Sequence, residues 1–364
     1  MRVLFVIAHL DKGGGQAVQC RQLFERMRSR LASAELLALS ARSPPTFGPQ
    51  PDGSTVIAPL RFPGGLLDLR REIRERAREF DLVHALDIYY ALPAARLAGV
   101  APLVVRLGSH PVEDLASRWG WWGRTWMEAT RPWLFHGVTT VVNSAHLLPT
   151  VPAGDVRWIP NGVDVPRFAS APERGDARAR LGLPEGVPIV VFTGKVLPRK
   201  NVEDILWLLS RRPDLHFLLV GALSEPYYGD RYWRIIASRY APVISRVHAV
   251  GEVPIEMLPQ YLAAGDVFVF PSRLEGMPNS ILEAMAAGLP VVASENPSHT
   301  DIVRRGGGRT YRTREEMLDA VDHFLADPAG RERTGRASRR YVAETFGFEA
   351  SVQAYLRLYH DLVG

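Results

Sequence analysis

Short runs of β-branched and other apolar residues alternate with amphipathic stretches along most of the chain. A short apolar run predicts a buried strand of a parallel sheet, and apolar positions three and four residues apart predict a helix that covers it. For the first half, the predicted elements are strands at Arg2–Ala8, Leu82–His84, Leu103–Leu107, Val138–Val142 and Val156–Ile159, and helices at Gln16–Ala32 and Leu67–Phe80.

The alternation restarts after a segment rich in Pro, Gly and Arg that ends at Leu183–Pro188. There the predicted elements are strands at Ile189–Thr193, Phe217–Val220, Val267–Phe270 and Pro290–Ala293, and helices at Val202–Arg211, Ile255–Ala264 and Ser280–Ala287. An α/β protein follows, with two Rossmann-like, doubly wound parallel sheets facing across a cleft. We expect a first domain at 1–165, a linker at 166–186, a second domain at 187–345, and a C-terminal helix at 346–364 that packs back on the first domain.

The composition is that of a globular chain, and its 364 residues favour two domains. Cys20 is the only cysteine, so the chain can form no internal disulfide and no thiolate metal cluster. A reducing compartment fits this composition. The apolar start Met1–Ala8 is too short for a signal peptide, and no stretch approaches the ~20 apolar residues of a membrane span. We therefore expect a cytoplasmic protein.

A net charge of +5 and a pI near 9.5 suggest an anionic partner. Nucleic acid, an anionic membrane surface and a phosphorylated small molecule all qualify. A nucleic-acid-binding protein predicts aromatic and basic residues clustered on a strand face or a recognition helix, and only the Trp-rich segment described below has such residues. We expect no nucleic-acid partner.

The first candidate site lies at 271–290, where a predicted strand is followed by a loop rich in Gly and Pro and then by a helix. Open α/β sheets bind ligands at the carboxyl ends of their strands. At the start of the helix, free amide groups of Asn279, Ser280 and Ile281 would point at an anion.

Two carboxylates, Glu275 in this loop and Glu283 one turn into the helix, can face one ligand from different directions. The alternative for Glu283 is a capping box with Ser280, in which the carboxylate only satisfies a backbone amide. The alternative for Glu275 is a solvated loop charge.

A second candidate site is the basic loop after the first predicted strand of the second domain. Lys195, Arg199 and Lys200 place three cations within six residues. Such charges suit a diphosphate, because they neutralise charge that grows on a leaving group. A solvated basic loop is the alternative, and Asn201 with two acidic residues behind it is a good helix start without any function.

The first domain carries two further features. Gly13–Gly15 separate the first strand from its helix and would let the backbone approach a ligand closely. They do not form the Gly-x-Gly-x-x-Gly pattern, so a nicotinamide cofactor is poorly supported. His110 follows a predicted strand and could hydrogen-bond a sugar or transfer a proton, although it is one of ten histidines.

Together these segments resemble the retaining GT-B glycosyltransferases, specifically glycosyltransferase family 4, the group 1 glycosyltransferases. The resemblance covers almost the whole chain, in the family's order, through Gly13–Gly15, Asp81–His84, Pro160–Asp164, Gly194–Lys200, Val250–Val253, Asp266–Ser272 and the pair Glu275 and Glu283. That pair matches the family's Glu-x7-Glu signature. The resemblance implies a GT-B fold and retaining transfer from a nucleotide sugar, as in the synthesis of cell-envelope or exopolysaccharide glycans.

The resemblance also implies the site. It assigns a catalytic set of Glu275, Lys200, Lys195 and His110, and a donor-binding set of Gly14, Gly15, Val253, Gly276, Met277, Pro278, Asn279, Ser280, Ile281 and Glu283. The two lysines and the helix amides would hold the donor diphosphate, Glu283 the ribose, and backbone near Val253 the base. Glu275 would contact the donor sugar and His110 would face it from the first domain, while the two glycines would line the acceptor side. The family needs no metal or other cofactor.

Three departures from the family pattern stand out: Lys195 replaces a more common Arg, Asn201 replaces a common glycine, and Gly108–His110 differs from the usual Thr-x-His-Gly. A UDP-sugar is the preferred donor, since the loop at 275–280 resembles that of members using one, and GDP-mannose remains an alternative. A nucleotide-sugar-binding protein without transferase activity and an epimerase are the alternative activities.

A Trp-rich segment in the first domain is unusual. It contains Trp119, Trp121, Trp122, Trp126 and Trp133, interleaved with Arg118, Arg124 and Arg131. In a helix, four of the five tryptophans share one face, which could meet a membrane surface beside a lipid-linked acceptor or stack on a sugar. The alternative is a helix packed on the sheet. We expect a glycan, lipid-linked or small-molecule acceptor, with peripheral contact at the inner face of the membrane through this segment.

Overall fold

A computed structural model describes residues 1–9, 15–40, 47–51, 53–61, 63–151, 154–223 and 230–364, apart from the side chains of 117–119. Within these ranges the chain divides into two compact units, one of Met1–Gly162 with Phe348–Gly364 and one of Val163–Gly347. The segment 166–186, expected as a linker, contains two short helices and belongs to the second unit.

The first unit is built on an eight-stranded sheet. Its strands are β1 (Arg2–Ile7), β2 (Ser33–Ser40), β3 (Gly48–Pro49), β4 (Ser54–Pro59), β5 (Leu82–Ala85), β6 (Leu103–Leu107), β7 (Thr139–Val142) and β8 (Val156–Trp158). Their order is β3-β4-β2-β1-β5-β6-β7-β8, and every neighbouring pair is parallel except β3 with β4. The helices are α1 (Gly15–Arg28), α2 (Gly64–Arg76), α3 (Ala91–Ala98) and α4 (Pro111–Phe135).

Predicted strands of this unit are confirmed as β1, β5, β6, β7 and β8, and the two predicted helices are confirmed as α1 and α2 with ends shifted by a few residues. The confirmed strands β1 and β6 are buried along almost their whole length, because helices cover both faces of a parallel sheet. The strands β2, β3 and the alternately buried β4 were not predicted.

Helix α4 contains the Trp-rich segment and is interrupted at Gly120, whose φ of 63° and ψ of −145° are not helical. Beyond this break, Trp121, Trp122, Trp126 and Trp133 are 63%, 67%, 43% and 46% exposed. Helix α4 does pack on the sheet, as the alternative expected, because Met127, Leu134 and Phe135 belong to the core of this unit, but these four tryptophans are not part of that packing. The side chain of Trp119 lies outside the described part of the chain.

The second unit is built on a six-stranded parallel sheet. Its strands are β9 (Ile189–Thr193), β10 (His216–Val220), β11 (Val247–Gly251), β12 (Val267–Phe270), β13 (Val291–Ser294) and β14 (Arg309–Tyr311). Their order is β11-β10-β9-β12-β13-β14. The helices are α5 (Val165–Ala169), α6 (Arg174–Leu181), α7 (Glu203–Arg211), α8 (Arg231–Arg239), α9 (Leu258–Ala263), α10 (Asn279–Ala286), α11 (Thr300–Arg305), α12 (Arg314–Ala326) and α13 (Pro328–Phe346). All predicted strands and helices of this half are confirmed, with β11 and β14 added.

The last helix, α14 (Phe348–Val363), returns to the first unit. Val352, Tyr355, Leu358 and Tyr359 are buried in the same apolar cluster as residues of β1 and α1. The Tyr359 hydroxyl hydrogen-bonds Nδ1 of His84 in β5 over 2.6 Å. The hydrophobic core of the first unit is thus completed by a helix distant in sequence. Among the described residues, no helix has the length and apolar character needed to cross a membrane.

Candidate active site

The strand order of the second unit reverses between β9 and β12, because the chain runs outward through β10 and β11 before returning to the other side of β9. Loops after adjacent strands at such a reversal diverge and leave room for a ligand. The two predicted sites, the basic loop after β9 and the Gly/Pro loop after β12, both lie at this point. The amide of Arg273 and the hydroxyl of Ser272 donate to the Arg199 carbonyl over 2.8 and 3.3 Å, which ties the two loops together.

Lys200 and Glu275 form an ion pair between these loops. Lys200 Nζ lies 2.6 Å from Glu275 Oε1, with side chains only 12% and 10% exposed. The Glu275 carboxylate also accepts from the hydroxyl of Ser272 and lies 3.5 Å from an Arg199 nitrogen. The alternative of a solvated loop charge is therefore wrong for Glu275.

The charges of this pair depend on each other. Burial alone would raise the pKa of Glu275, but the Lys200 and Arg199 charges and the bonds from Lys200 and Ser272 hold this pKa below its usual value. Burial lowers the pKa of Lys200, and the Glu275 carboxylate acts in the opposite direction. Lys200 Nζ also lies 4.9 Å from the centre of the Phe270 ring. The site thus holds an ionised carboxylate and a cation at the carboxyl ends of β9 and β12.

The sequence context suggested that Asn201 starts a helix, but the structure does not confirm this. It lies two residues before α7 with φ 50° and ψ 39°, a left-handed conformation that favours Gly and Asn. Its side chain donates to Asp204 over 2.6 Å and accepts from Arg273 over 3.1 Å. This conformation explains how Asn can stand where a glycine is common. It reverses the chain directly after Lys200 and so directs that side chain toward the β12 loop.

The turns that follow β9 and β10 need glycine because their backbones touch each other. Gly194 and Gly221 follow the adjacent strands β9 and β10 with φ of 139° and 143°. A Cβ on Gly221 would lie 2.1 Å from the Gly194 carbonyl oxygen, so the two turns are in direct backbone contact. Lys195 follows in the same loop and is half-buried.

The N-terminus of α10 differs from the expectation in two respects. The Ile281 amide donates to the Pro278 carbonyl over 3.0 Å, so it is not a free donor for an anion. The Ser280 hydroxyl donates to the carbonyl of Thr193 at the end of β9 over 3.1 Å, and no side chain caps this helix start. The capping-box alternative for Glu283 is therefore wrong. Asn279 and Ser280 are half-buried, whereas Gly276, Met277 and Pro278 are buried.

Glu283 lies on the same helix, half-buried and without a hydrogen bond or ion pair to the described residues. Burial raises the pKa of its carboxyl group to about 7, against the opposing charges of Arg167 and Lys200. A half-buried carboxylate without protein partners is suited to accept hydrogen bonds from a ligand. Arg167 on α5 was not predicted; its position three residues after Asp164, in a matched motif, is the signal that could have identified it.

Val253 lies in the loop after β11 and is partly buried against the core of the second unit. The carbonyl of Gly251 accepts from the amide of Gly221 over 2.8 Å, which joins the start of this loop to the β10 turn. The loops after β9, β10 and β11 are therefore connected along one edge of the sheet.

His110 lies in the first unit as the N-cap of α4. Its Nδ1 accepts a hydrogen bond from the Glu113 amide over 3.2 Å, and burial lowers the pKa of the ring. The neutral ring thus has a local structural role that sequence reasoning missed, although Pro111 and Glu113 behind it are typical of a helix start. Gly15 is the exposed first residue of α1, and Gly14 lies outside the described residues. In the described ranges, no three His, Cys, Asp or Glu side chains are grouped so that they could hold a metal ion.

Comparisons with known proteins agree with this architecture. The model of the family described as "Glycosyltransferase Family 4" matches residues 13–167, and that of "Glycosyl transferases group 1" matches residues 173–341. The chain is 27% identical over 378 residues to the α-maltose-1-phosphate synthase of Mycobacterium tuberculosis, covering 96% of both chains. It is 32% identical over 279 residues to the GDP-mannose-dependent α-mannosyltransferase of Mycolicibacterium smegmatis, covering 72% of this chain and 68% of that one.

Among solved structures, that of Anabaena Alr3699/HepE in complex with UDP-glucose superposes with a TM-score of 0.82 at 19% identity, over 100% of both chains. The two parallel-sheet α/β units are those of the GT-B fold. The chain is therefore a glycosyltransferase that belongs to family 4, the group 1 glycosyltransferases.

Proposed function

We propose that this enzyme transfers a sugar from a nucleoside-diphosphate sugar to a hydroxyl group of a glycan, lipid-linked or small-molecule acceptor, with retention of configuration and without a metal ion. The buried pair of Lys200 and Glu275 at the reversal of the second sheet carries the proposal. It places a cation and an ionised carboxylate beside the start of α10, where a diphosphate and its sugar would lie.

In the proposed reaction, the bond between the donor sugar's C1 and the diphosphate oxygen breaks, and the diphosphate keeps the electron pair. Lys195, Lys200 and the start of α10 stabilise the charge that develops on this leaving group. The acceptor hydroxyl attacks C1 on the same face and loses its proton to a leaving phosphate oxygen. The protein contributes orientation and electrostatic stabilisation, and no covalent nucleophile is assigned.

The rest of the donor would extend along the connected loops of the second sheet. Glu283 would accept hydrogen bonds from the ribose, and backbone near Val253 would contact the base. A uridine nucleotide is the preferred donor, because the 275–280 loop resembles that of UDP-sugar users and the HepE structure contains UDP-glucose. The M. smegmatis relative is GDP-mannose-dependent, so GDP-mannose is the second candidate.

A donor-hydrolysis panel of UDP- and GDP-sugars tests the proposal. Glu275→Ala and Lys200→Ala should each lower hydrolysis at least about a hundredfold, because each removes a charge that stabilises the transition state. Arg180→Ala changes an exposed cation on α6 and serves as the matched control. If both site variants hydrolyse the donor as fast as the parent, the site assignment is wrong.

The same panel separates the alternative activities. A binding protein without transferase activity would be stabilised by UDP or GDP but would hydrolyse no donor. An epimerase would convert the donor sugar without any added acceptor. Thermal protection by oligonucleotides, with none from UDP or GDP, would instead support a nucleic-acid-binding protein.

We also propose peripheral contact of the first unit with the inner face of the membrane. Exposed tryptophans Trp122, Trp126 and Trp133 follow each other at helical spacing beyond the break in α4, and the rings of Trp121 and Trp122 stack with centroids 3.8 Å apart. Exposed Trp beside Arg suits the headgroup region of an anionic bilayer. The enzyme would then bind at the same membrane surface that holds a lipid-linked acceptor.

Sedimentation with anionic and neutral vesicles tests this contact. The parent should bind anionic vesicles in a salt-sensitive way, and the double variant Trp122→Ala/Trp126→Ala should lose at least about tenfold in affinity, since two interfacial side chains are removed. Trp158→Ala is the matched control, because Trp158 is 52% exposed and belongs to β8, not to α4. Equal sedimentation of parent and double variant would exclude the contact.

A further inference from the structure

Arg273, in the loop after β12, contacts the residues on both sides of Lys200. Its backbone amide donates to the carbonyl of Arg199 over 2.8 Å. Its guanidinium Nη2 donates to the side-chain oxygen of Asn201 over 3.1 Å. Because Lys200 is the residue between these two contacts, one arginine holds the stretch of backbone that carries the Lys200 ammonium.

The Asn201 side chain is held at both of its polar atoms. Its Nδ2 donates to one oxygen of the buried Asp204 over 2.6 Å, and the other oxygen of Asp204 accepts from Nε of Arg314 over 2.7 Å. An ionised carboxylate only accepts hydrogen bonds and a guanidinium only donates them, so the amide nitrogen must face Asp204 and the amide oxygen must face Arg273. Asn201 therefore connects Arg273 to α7. A glycine, which is common in the family at this position, could make neither bond.

The backbone of Arg273 is itself held by the neighbouring loop after β13. The Arg273 carbonyl accepts from Nδ2 of Asn296 over 2.7 Å, and Oδ1 of Asn296 accepts from the Ser298 amide over 2.9 Å. The carbonyl of Ser272, one residue earlier, accepts from the Ser294 hydroxyl over 2.6 Å. Arg273 as a whole is exposed, so it takes no part in the hydrophobic core. Its hydrogen bonds join the loops that follow β9, β12 and β13.

We propose that Arg273 is a positioning residue of the transfer reaction, which acts through Asn201 to keep the Lys200 ammonium in place for the diphosphate leaving group. This inference rests on the proposed function. Lys200 has a flexible four-carbon stem and must face the diphosphate while its Nζ stays 2.6 Å from Glu275, so its backbone has to be fixed. A displacement of about 1 Å can cost about a hundredfold in rate, and partial release of this loop should cost about tenfold.

The kinetics of donor hydrolysis test this role. The substrate is UDP-glucose, or GDP-mannose if the panel described above selects it. Arg273→Met removes the guanidinium and should lower kcat about tenfold. The KM for the donor should change less than about threefold, because the charge that Lys200 stabilises develops on the leaving group in the transition state. Arg273→Lys keeps a cationic donor for Asn201 and should remain within about threefold of the parent in kcat.

A double-variant cycle with Asn201 separates this role from direct contact between Arg273 and the donor. Asn201→Gly tolerates the left-handed backbone but removes the side chain, so it should also lower kcat about tenfold. The combined variant Arg273→Met/Asn201→Gly should again lose about tenfold, because both changes break the same connection. A loss of about a hundredfold would mean that the two side chains act independently, and would overturn the inference.

Two controls distinguish positioning from a loss of structure. Arg234→Met changes an exposed cation on α8 and should hydrolyse the donor as the parent does. The melting temperature of Arg273→Met should lie within about 2 °C of the parent, because Arg273 is exposed. An unchanged kcat in Arg273→Met, or a loss that accompanies a larger fall in melting temperature, would overturn the inference and leave the proposed function intact. A parent that hydrolyses no UDP- or GDP-sugar would overturn both.

Discussion

The buried ion pair of Lys200 and Glu275 makes a prediction about stability that is independent of substrate. Removing one member of a buried pair leaves a charge without compensation and typically costs about 3–5 kcal/mol. Lys200→Met should lie at the low end, about 3 kcal/mol, because Glu275 keeps Arg199 at 3.5 Å and the Ser272 hydroxyl. Glu275→Gln should cost about 4 kcal/mol, because the Lys200 ammonium is then left chiefly with the Phe270 ring at 4.9 Å.

The double variant Lys200→Met/Glu275→Gln leaves neither charge unpaired, so it should cost less than either single variant and not the summed value of about 7 kcal/mol. Urea unfolding of the second unit at neutral pH, in the absence of nucleotide, measures the four free energies of unfolding. Arg234→Met is the matched control, because its ion pair with Asp230 has a similar distance, 2.8 Å, but is exposed, and it should cost less than about 0.5 kcal/mol. Single effects that add to within about 0.5 kcal/mol would refute the coupling inferred for the buried pair.

Three further changes test other parts of the second unit. Glu283→Gln should leave the free energy of unfolding unchanged at pH 4 and raise it by about 3 kcal/mol at pH 8.5. The reason is that folding raises the pKa of the Glu283 carboxyl group from 4.5 to about 7, so the parent loses stability as the pH rises through that range. Thermal unfolding would contradict this if the parent and the variant differed equally at the two pH values. Asn201→Ala should lower the free energy of unfolding by about 2 kcal/mol and Asn201→Gly by about half of that, because a φ of 50° is unfavourable for a residue with a β-carbon. Equal losses of the two variants in urea unfolding would exclude backbone strain as the cause. Gly221→Ala should cost more than about 3 kcal/mol because its β-carbon would meet the Gly194 carbonyl at 2.1 Å, whereas Gly175→Ala, in open space on α6, should stabilise by up to about 1 kcal/mol; similar melting temperatures would refute the close contact.

Most of the strands that the sequence predicted, although not the largely exposed β8, share one physical property. In β1, β6, β9 and β12 almost every residue is buried, because both faces of the sheet are covered, and an uninterrupted apolar run signals such a strand directly. The strand β14 has three residues at the edge of the second sheet, and β4 alternates between buried and half-buried residues. Neither forms an apolar run, so both were missed; β2 was missed as well, although its last five residues are buried.

The sequence predicted which loops of the site lie side by side, but not the backbone and side-chain conformations within them. Lys200 and Glu275 follow strands that the doubly wound pattern makes neighbours, so their proximity follows from the fold. The side-chain bond of Arg273 to Asn201 and the packing of α5, which carries Arg167, against α10 join segments distant in sequence. Hydrophobic periodicity contains no information on such contacts.

The path of the chain also has a consequence for biosynthesis. The second unit is one continuous stretch, whereas the first unit requires α14, which the ribosome makes only after the whole of Val163–Gly347. At ~5–20 residues per second, the first sheet waits on the order of 10–40 s with the surface destined for Tyr355 and Tyr359 uncovered. The second unit can therefore fold before the first is complete, and the half of the enzyme that is synthesised earlier is the one that matures later.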